Sequence, residues 1–406
     1  DQMVRPERRT RGDLIAAAAI AVVIALFVTL IWWHSSARAT QFHPATAPAP
    51  NVKPAQGVPG TLKQRWTAPS PKTLQPVVVN GTVVTGAGRE MAGRNPETGD
   101  QRWSYARDTD LCAVSYIYDL AVAVYPDIRG CGQVSTVTAG SGRRGPTRTS
   151  YADKQVVVSS DGSAVLSYGA TRMELWRSDL VRIFSYGEID ARVKPVNTAV
   201  GKGCALMSAA ASDAAGAVLE ACPGEKDLRL SLITPAKEED EPAVKHIELP
   251  GLTVDSDARV LAVAGTTTAV YLPIPRPEVA IYDDTGAKIS GTPLRVAPTV
   301  EGRAPALTRA GDFLTWWTGS AVVVFDNRLG YRYTIDTPAL GPAAVMSGSL
   351  LIPVADGLAV HDPLDGSRQR VIPLTHPEGS GAVLPAVLGS MVFEQRGDTV
   401  AAFGPG

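Results

Sequence analysis

Excess charge, histidine and recognisable catalytic motifs are all scarce in this chain of 406 residues. The net charge is −1, so nothing in the overall balance indicates binding to nucleic acid or another polyanion. The five histidines are scattered and form no His-x-Glu-x-x-His pair for metal-assisted hydrolysis. No Gly-x-Ser-x-Gly elbow occurs either. The sequence therefore predicts no catalytic site, no metal site and no bound cofactor.

Cysteine is also rare, and its four copies contain no Cys-x-x-Cys pair: Cys112, Cys131, Cys204 and Cys222. No histidine is near them in sequence, which argues against zinc. Two disulfides in an oxidising compartment are the simplest interpretation. Pairing within each close pair is favoured, because it links neighbouring strands of one sheet. Four buried free thiols are the alternative.

One long uncharged run is present, at residues 14–33 (LIAAAAIAVVIALFVTLIWW). About 20 apolar residues in a helix cross a hydrocarbon core of about 30 Å. Trp32 and Trp33 close the run, where amphipathic rings favour the membrane interface. Four arginines precede it and predict a cytoplasmic N-terminus: Arg5, Arg8, Arg9 and Arg11.

These features predict a single-pass membrane protein of the cell membrane. Residues 1–13 are a cytoplasmic tail, residues 14–33 span the lipid bilayer, and everything beyond lies outside the cytoplasm. A cleaved signal peptide is the alternative, but the apolar run is long for one and the cleavage signal after Trp33 is weak. The small side chains of residues 16–19 would allow a partner helix to approach closely.

The remainder divides into a linker and a body. Residues 34–60 are rich in Pro, Ala and polar residues, which predicts an extended linker that holds the body away from the membrane. Residues 61–406 show short β-branched runs separated by Asn-Gly, Asp-Gly and Ala-Gly turns, which predicts an all-β domain. Arg outnumbers Lys, and Ala and Val are abundant; this bias indicates a GC-rich, actinobacterial genome.

One segment of the body, Gly93-Arg-Asn-Pro-Glu-Thr-Gly-Asp-Gln-Arg-Trp103, is distinctive. It resembles the tryptophan-docking repeat of quinoprotein-like (PQQ-like) β-propellers, with Gly93 and Asn95 in place of the family's Ala and Asp. The resemblance implies that Thr98-Gly99 turns the chain between the third and fourth strands of a blade. It also implies that Asn95 caps this turn and that Trp103 packs between adjacent blades.

Weaker copies of the segment predict eight blades. The repeat starts are residues 93, 136, 175, 232, 280, 324, 360 and 402. The last copy lacks a fourth strand, and Gln64-Arg65-Trp66 near the start repeats Gln101-Arg102-Trp103. An N-terminal strand that carries Trp66 is therefore expected to complete the last blade and close the ring. Seven blades are the alternative, if residues 192–249 form one irregular unit.

The resemblance implies a fold more than an activity. Quinone-dependent members of the family carry adjacent cysteines and a calcium site within long insertions, and this chain has neither. Other members are non-catalytic scaffolds. The chain is therefore expected to be a non-enzyme of the membrane-anchored, non-catalytic branch.

Two features of the body are candidate partner contacts. The acidic run at residues 237–241, which includes Glu238 and Glu239, is either a solvated hairpin tip or a partner-binding loop. Trp316 and Trp317 are adjacent, so in a strand their rings point to opposite faces. Packing of both rings between blades is favoured over one exposed ring that acts as a binding hot spot.

Together these observations predict an extracytoplasmic interaction scaffold or accessory subunit, whose partners are other membrane or cell-envelope proteins. The alternative is a sensor or binding protein that holds a small molecule or glycan in the propeller channel.

Overall fold

The computed structural model describes residues 10–189, 191–299, 302, 304–379 and 381–406. It begins with helix α1 (Arg11–Trp33), followed by the single turn α2 (Ser36–Ala39). A capping box starts α1: the Thr10 hydroxyl accepts from the Asp13 N–H at 3.2 Å, and the Asp13 carboxylate accepts from the Thr10 N–H at 2.8 Å. No residue of α1 is buried. Within the described ranges, α1 is the one helix long and apolar enough to cross a membrane.

In the described part of the chain thirty-three strands follow, and they form eight sheets. Two precede the regular blades: β1 (Gln41–His43) and β2 (Leu62–Pro69). Blade 1 has β3 (Val77–Val79), β4 (Thr82–Ala87), β5 (Glu90–Arg94) and β6 (Gln101–Ala106). Blade 2 has β7 (Ala113–Ile117), β8 (Leu120–Asp127), β9 (Gly130–Thr138) and β10 (Arg143–Thr149). Blade 3 has β11 (Val157–Ser160), β12 (Val165–Tyr168), β13 (Arg172–Trp176) and β14 (Arg182–Gly187). Blade 4 has β15 (Ala205–Ala211), β16 (Gly216–Ala221), β17 (Arg229–Thr234) and β18 (Ala243–Glu248).

The second half repeats this arrangement. Blade 5 has β19 (Arg259–Ala264), β20 (Thr267–Leu272), β21 (Glu278–Tyr282) and β22 (Lys288–Pro293). Blade 6 has β23 (Leu307–Ala310), β24 (Phe313–Trp317), β25 (Val322–Asp326) and β26 (Tyr331–Ile335). Blade 7 has β27 (Ala344–Met346), β28 (Ser349–Val354), β29 (Gly357–His361) and β30 (Arg368–Pro373). Blade 8 has β31 (Val383–Leu388), β32 (Met391–Arg396) and β33 (Thr399–Pro405).

The fold is thus an eight-bladed β-propeller, and the predicted blade count is confirmed. Every predicted repeat start falls on the third strand of its blade, at β5, β9, β13, β17, β21, β25, β29 and β33. The N-terminal strand β2 lies antiparallel outside β33, with Trp66 opposite Ala402. The fourth strand of blade 8 therefore comes from the opposite end of the chain from the other three.

The turns and the core follow from local sequence. Asn80 and Gly81 connect β3 to β4 with φ angles of 46° and 72°, the left-handed pair that a tight hairpin requires. Apolar side chains of neighbouring blades form clusters at the seams. One example joins Val84 and Met91 of blade 1 to Val114 and Tyr125 of blade 2. The hydrophobic core is therefore a ring of inter-blade layers.

The expected extended linker differs from the structure, because residues 41–60 lie against the propeller. We call these residues the strap. β1 adds a fifth strand to blade 1, with Phe42 opposite Tyr105. Further along, the Ala49 N–H donates to the Gly140 carbonyl at 2.6 Å, and Arg370 of blade 7 donates to the Val58 carbonyl at 2.8 Å. Parts of the strap therefore find backbone hydrogen-bond partners on blades 1, 2 and 7.

The docked strap limits the distance between α1 and blade 1. Only residues 34–40 lie between the end of α1 and the start of β1. Seven fully extended residues span at most about 25 Å. The edge of blade 1 is therefore held close to the end of the apolar helix.

We expect Phe42→Ala to loosen the strap without unfolding the blades. The Phe42 ring contacts the Tyr105 ring edge-on, with 6.2 Å between centroids. Its loss should accelerate hydrogen exchange at the Ala49 N–H by about tenfold, because the free energy of local opening falls by about 1.4 kcal/mol. Exchange at Ala217 in blade 4 is the internal control and should not change. Equal acceleration at both positions would contradict a local role for the strap.

Candidate functional site

The predicted docking residues meet at the seam between blades 8 and 1. Trp66 of β2 donates its Nε1–H to the Pro96 carbonyl at 2.9 Å. Gly99 has a φ of 77°, and a Cβ there would lie 2.7 Å from Trp66 Cγ, so glycine is required for both backbone and contact. Thr98 donates to the Asp100 carboxylate at 2.7 Å, and Asn95 Oδ1 accepts from the Glu97 N–H at 2.9 Å. The turn is built as its sequence indicated.

Trp103 repeats this contact at the next seam. It is buried, and its Nε1–H donates to the Ala139 carbonyl of blade 2 at 2.8 Å. Its ring also covers Gly93, where a Cβ would lie 2.1 Å from Trp103 Cε2. Glycine in the family's alanine position therefore gives this ring its space.

A third docking aromatic was missed by sequence reasoning. Tyr333 of β26 donates its hydroxyl to the Pro363 carbonyl at 2.6 Å and lies against Gly366, where φ is 75°. Asp362-Pro363-Leu-Asp-Gly366 has the same length as the first turn, Asn95-Pro-Glu-Thr-Gly99. The signal was this shared Pro and Gly spacing, which marks an acceptor turn for an aromatic ring on the preceding blade.

At the seam between blades 2 and 3, an arginine makes the contact that a docking aromatic makes at three other seams. Arg148, on the fourth strand of blade 2, donates to the Leu180 carbonyl in the turn of blade 3 at 3.1 Å. It also lies 3.4 Å from the Glu174 carboxylate. Glu174 is fully buried and accepts further from Arg172, from Arg182 at 3.0 Å and from the Trp176 Nε1–H at 2.8 Å.

The electrostatics of this cluster favour the ionised carboxylate. Burial by itself would raise the pKa of Glu174, but Arg172, Arg148 and Arg182 outweigh burial and hold the pKa at about 2. The group is therefore a neutralised structural element at the seam between blades 2 and 3, and it is not poised for proton transfer.

The acidic run lies in the connection between β17 and β18, and its carboxylates make contacts within the chain. Glu239 accepts from Arg182 Nη2 of blade 3 at 2.5 Å, and Glu238 pairs with Lys194. Asp240 is buried and accepts from the Asn197 side chain at 2.9 Å. Both carboxylates remain partly exposed beside these basic partners, and a partner contact through Glu238 and Glu239 stays a prediction.

The adjacent residues Trp316 and Trp317 pack against neighbouring blades. Trp316 is 4% exposed and lies against Tyr271 of blade 5, with 5.8 Å between ring centroids. Trp317 points to the opposite face and donates its Nε1–H to the Ala339 carbonyl at 2.9 Å. Packing of both rings between blades agrees with the favoured prediction, and burial leaves little of Trp316 exposed.

Both predicted disulfides form with local pairing. Cys112–Cys131 joins the start of the first strand of blade 2 to its third strand. Cys204–Cys222 joins the ends of the first and second strands of blade 4, so it does not repeat the placement of the first bridge. Glu220 lies near Cys204 and Cys222, but sulfurs held in a disulfide are not thiolate ligands.

We expect the double substitution Cys204→Ser, Cys222→Ser to lower the free energy of unfolding by about 3 kcal/mol, the loop-entropy contribution of a bridge of this span. Thermal unfolding of the wild type and of the variant, with and without dithiothreitol, measures the difference. An unchanged midpoint in the variant would contradict a stabilising bridge.

A cavity of about 660 Å³ occupies the central channel. The innermost strands of all eight blades line it. Its walls are largely apolar, with Val78, Val158, Leu261 and Leu384 among the lining residues. A volume in this range is typical of sites for small organic molecules.

Charged and polar side chains interrupt this apolar wall at few points. Arg309 of blade 6 is exposed to the channel, and Arg259 of blade 5 also lines it. Asp161 is the one carboxylate among the described lining residues, and its Oδ1 accepts from the Ser163 N–H and hydroxyl, both at 2.8 Å. Burial raises the pKa of Tyr116; Arg309 opposes this rise and Asp161 reinforces it.

No family model matches the chain, and no curated protein matches it. Solved structures show the fold. Sqt1 of Saccharomyces cerevisiae is similar with a TM-score of 0.50 at 10% identity, over 86% of this chain and 98% of that chain. Likeness at this identity concerns architecture alone.

Two further similar structures have lower TM-scores. PorZ, a surface component of the type-IX secretion system of Porphyromonas gingivalis, gives 0.45 at 13% identity over 83% of this chain. This chain spans 43% of that PorZ chain. The dihydro-heme d1 dehydrogenase NirN gives 0.45 at 10% identity, over 84% of this chain and 79% of that chain. The fold and its apolar helix define the class: an eight-bladed β-propeller with a possible N-terminal membrane helix, an architecture that fits an interaction scaffold in general terms.

Proposed function

We propose that this chain is a membrane-anchored, non-catalytic scaffold or accessory subunit of a cell-envelope membrane complex. Its propeller lies outside the cytoplasm and belongs to the quinoprotein-like repeat type, in an actinobacterial host. The partners are other membrane or envelope proteins, which contact the propeller, the apolar helix or both.

The observation that carries the proposal is the strap. A propeller on a free stalk would sample many orientations, and each would cost entropy on assembly. Here residues 41–60 bind blades 1, 2 and 7, and only residues 34–40 separate blade 1 from α1. The blades are therefore held near the helix, as suits a subunit that binds a membrane neighbour through both parts.

Three observations support the topology and the family. The arginines before α1 favour a cytoplasmic N-terminus. Two disulfides suit an oxidising compartment. Trp66 and Trp103 each reach a carbonyl in the turn of the next blade, in the manner that the quinoprotein-like repeat implies.

The non-catalytic assignment rests on how the buried carboxylates are used. Glu174 is neutralised by arginines, and Glu220 pairs with Arg229 at 2.9 Å. Glu394 contacts Arg396 and His376, at 2.5 Å and 3.1 Å. Each of these carboxylates pairs with a basic side chain, and Glu220 Oε2 is in addition buried without a partner among the described residues.

The test is a pull-down of the full-length chain from its own membranes in mild detergent, with quantitative mass spectrometry. We expect stoichiometric recovery of at least one membrane or envelope protein. Recovery of the chain alone, as a clean monomer, would contradict the scaffold proposal.

Two control variants locate the contact. In the first, an unrelated apolar helix of equal length replaces residues 14–33, so membrane placement is kept. In the second, the chain starts at Thr40, which keeps the strap; a cut at residue 60 would remove packed residues. Partners retained by both variants contact the propeller, whereas partners lost from both contact the helix.

A further inference from the structure

The central channel presents a cation, Arg309, next to an apolar volume. The guanidinium of Arg309 has no ion-pair or hydrogen-bond partner among the described residues. It extends from the innermost strand of blade 6 and lines the channel. A guanidinium at the wall of an apolar cavity favours a ligand of opposite charge, because charge-assisted hydrogen bonds are stronger than those between neutral groups.

A second polar group faces the same region. Tyr116 lies on the innermost strand of blade 2, which is opposite blade 6 in a ring of eight. Arg309, Tyr116 and Asp161 all line the channel, and the charges of Arg309 and Asp161 both act on the pKa of Tyr116. The Tyr116 hydroxyl has no hydrogen-bond partner among the described residues, so it is available as a donor.

Among the described lining residues, one carboxylate, Asp161, stands against two guanidinium groups, those of Arg309 and Arg259. Asp161 Oδ1 is occupied by its own turn, where it accepts from the Ser163 and Ala164 N–H groups at 2.8 and 2.9 Å. Arg259 adds a second guanidinium, which donates to the Gly302 carbonyl and whose buried Nε has no partner. The described lining residues therefore carry a positive excess.

We propose that the channel binds an amphiphilic anion, a molecule with an apolar body and one carboxylate or phosphate. Its charged group pairs with Arg309 and accepts from the Tyr116 hydroxyl, while the apolar body fills the volume between the innermost strands. A neutral apolar molecule would leave the guanidinium unpaired and would bind more weakly. This site does not depend on the proposed scaffold function, since a channel ligand requires no protein partner.

The test is isothermal titration calorimetry of the full-length chain in lipid nanodiscs, with empty nanodiscs subtracted. The probes are octanoate, octyl phosphate and octanol, which share a body and differ in the head group. At least one anion should bind with one-to-one stoichiometry and about tenfold tighter than octanol, the contribution of one charge-assisted hydrogen bond. Comparison of the two anions distinguishes a carboxylate from a phosphate ligand.

Variants test whether Arg309 and Tyr116 cause the preference for anions over octanol. Arg309→Leu should abolish the preference for anions. Tyr116→Phe should weaken anion binding about threefold and leave octanol unchanged. The matched control is Arg332→Leu, an exposed arginine on the outer strand of the same blade, which should bind as the wild type does.

Three results would overturn the proposal. The first is octanol binding as tightly as both anions, or no saturable heat with either anion. The second is a preference for anions that persists in Arg309→Leu. The third is equal loss of that preference in Arg332→Leu. If Arg309→Leu does not fold, unchanged anion affinity in Tyr116→Phe would likewise contradict the proposed site.

Discussion

Glu174→Gln should lower the free energy of unfolding by about 3–5 kcal/mol, the cost of removing one partner from a buried ion pair. The carboxylate is buried, and it is the shared partner of Arg148, Arg172 and Arg182. Glutamine keeps the shape but leaves the guanidinium groups to repel one another. Because Arg148 comes from blade 2, the seam between blades 2 and 3 should open first.

Urea unfolding, followed by tryptophan fluorescence, measures this effect. The matched control is Asp179→Asn, which breaks the exposed pair of Arg177 and Asp179 in the same blade and should change stability little. If both variants unfold at the same urea concentration as the wild type, the cluster does not hold the seam.

The same residue gives a pH dependence of defined sign. The pKa of Glu174 in the folded chain, about 2, lies below its ordinary value of 4.5. The ionised form therefore stabilises the fold fully above about pH 4.5, and this stabilisation is lost as the pH falls toward 2. Relative to the wild type, Glu174→Gln should lose less stability over this interval, and parallel curves would contradict the assignment.

Trp103→Ala should destabilise the propeller by about 3–5 kcal/mol, as truncation of a large buried ring generally does. The substitution removes a packing element between blades 1 and 2 and leaves the Ala139 carbonyl without its donor. Trp103→Phe should keep much of the apolar contact and lose only the hydrogen bond. Its free energy of unfolding should therefore lie between those of the wild type and Trp103→Ala.

Thermal unfolding of these variants measures the order of stability. Leu364→Ala is the control, because Leu364 is an exposed apolar residue whose truncation should have little effect. An alanine variant as stable as the wild type would show that the other seams compensate, and it would contradict the docking role assigned to Trp103.

The docking motif explains why the blade count was predictable. Thr98-Gly99 and the following Trp103 lie within one stretch of chain, and their roles are fixed by a turn that needs a left-handed glycine. Weaker copies of the segment located the third strand of most other blades, and the repeat spacing located those at residues 175 and 232. Tyr333 was not predicted as a docking residue because it is an aromatic hydrogen-bond donor like the tryptophan of the motif but a different residue type.

The candidate site was less accessible from sequence. Arg309 and Tyr116 lie on different blades, and each in isolation resembles an ordinary strand residue. Only closure of the ring brings them to one channel. The acidic run shows the same limit: its composition indicates a solvated tip, but the ring places Arg182 and Lys194 beside it.

The sequence by itself determined what depends on neighbours along the chain: the apolar helix, the short strands, the glycine turns and the pairing of nearby cysteines. The tertiary structure decided what depends on residues far apart. The strap is the clearest case, because Arg370 binds the carbonyl of Val58 across 312 positions. A Pro- and Ala-rich segment carries no local signal for such a contact. Its backbone groups find partners only on a surface that exists after the blades have closed.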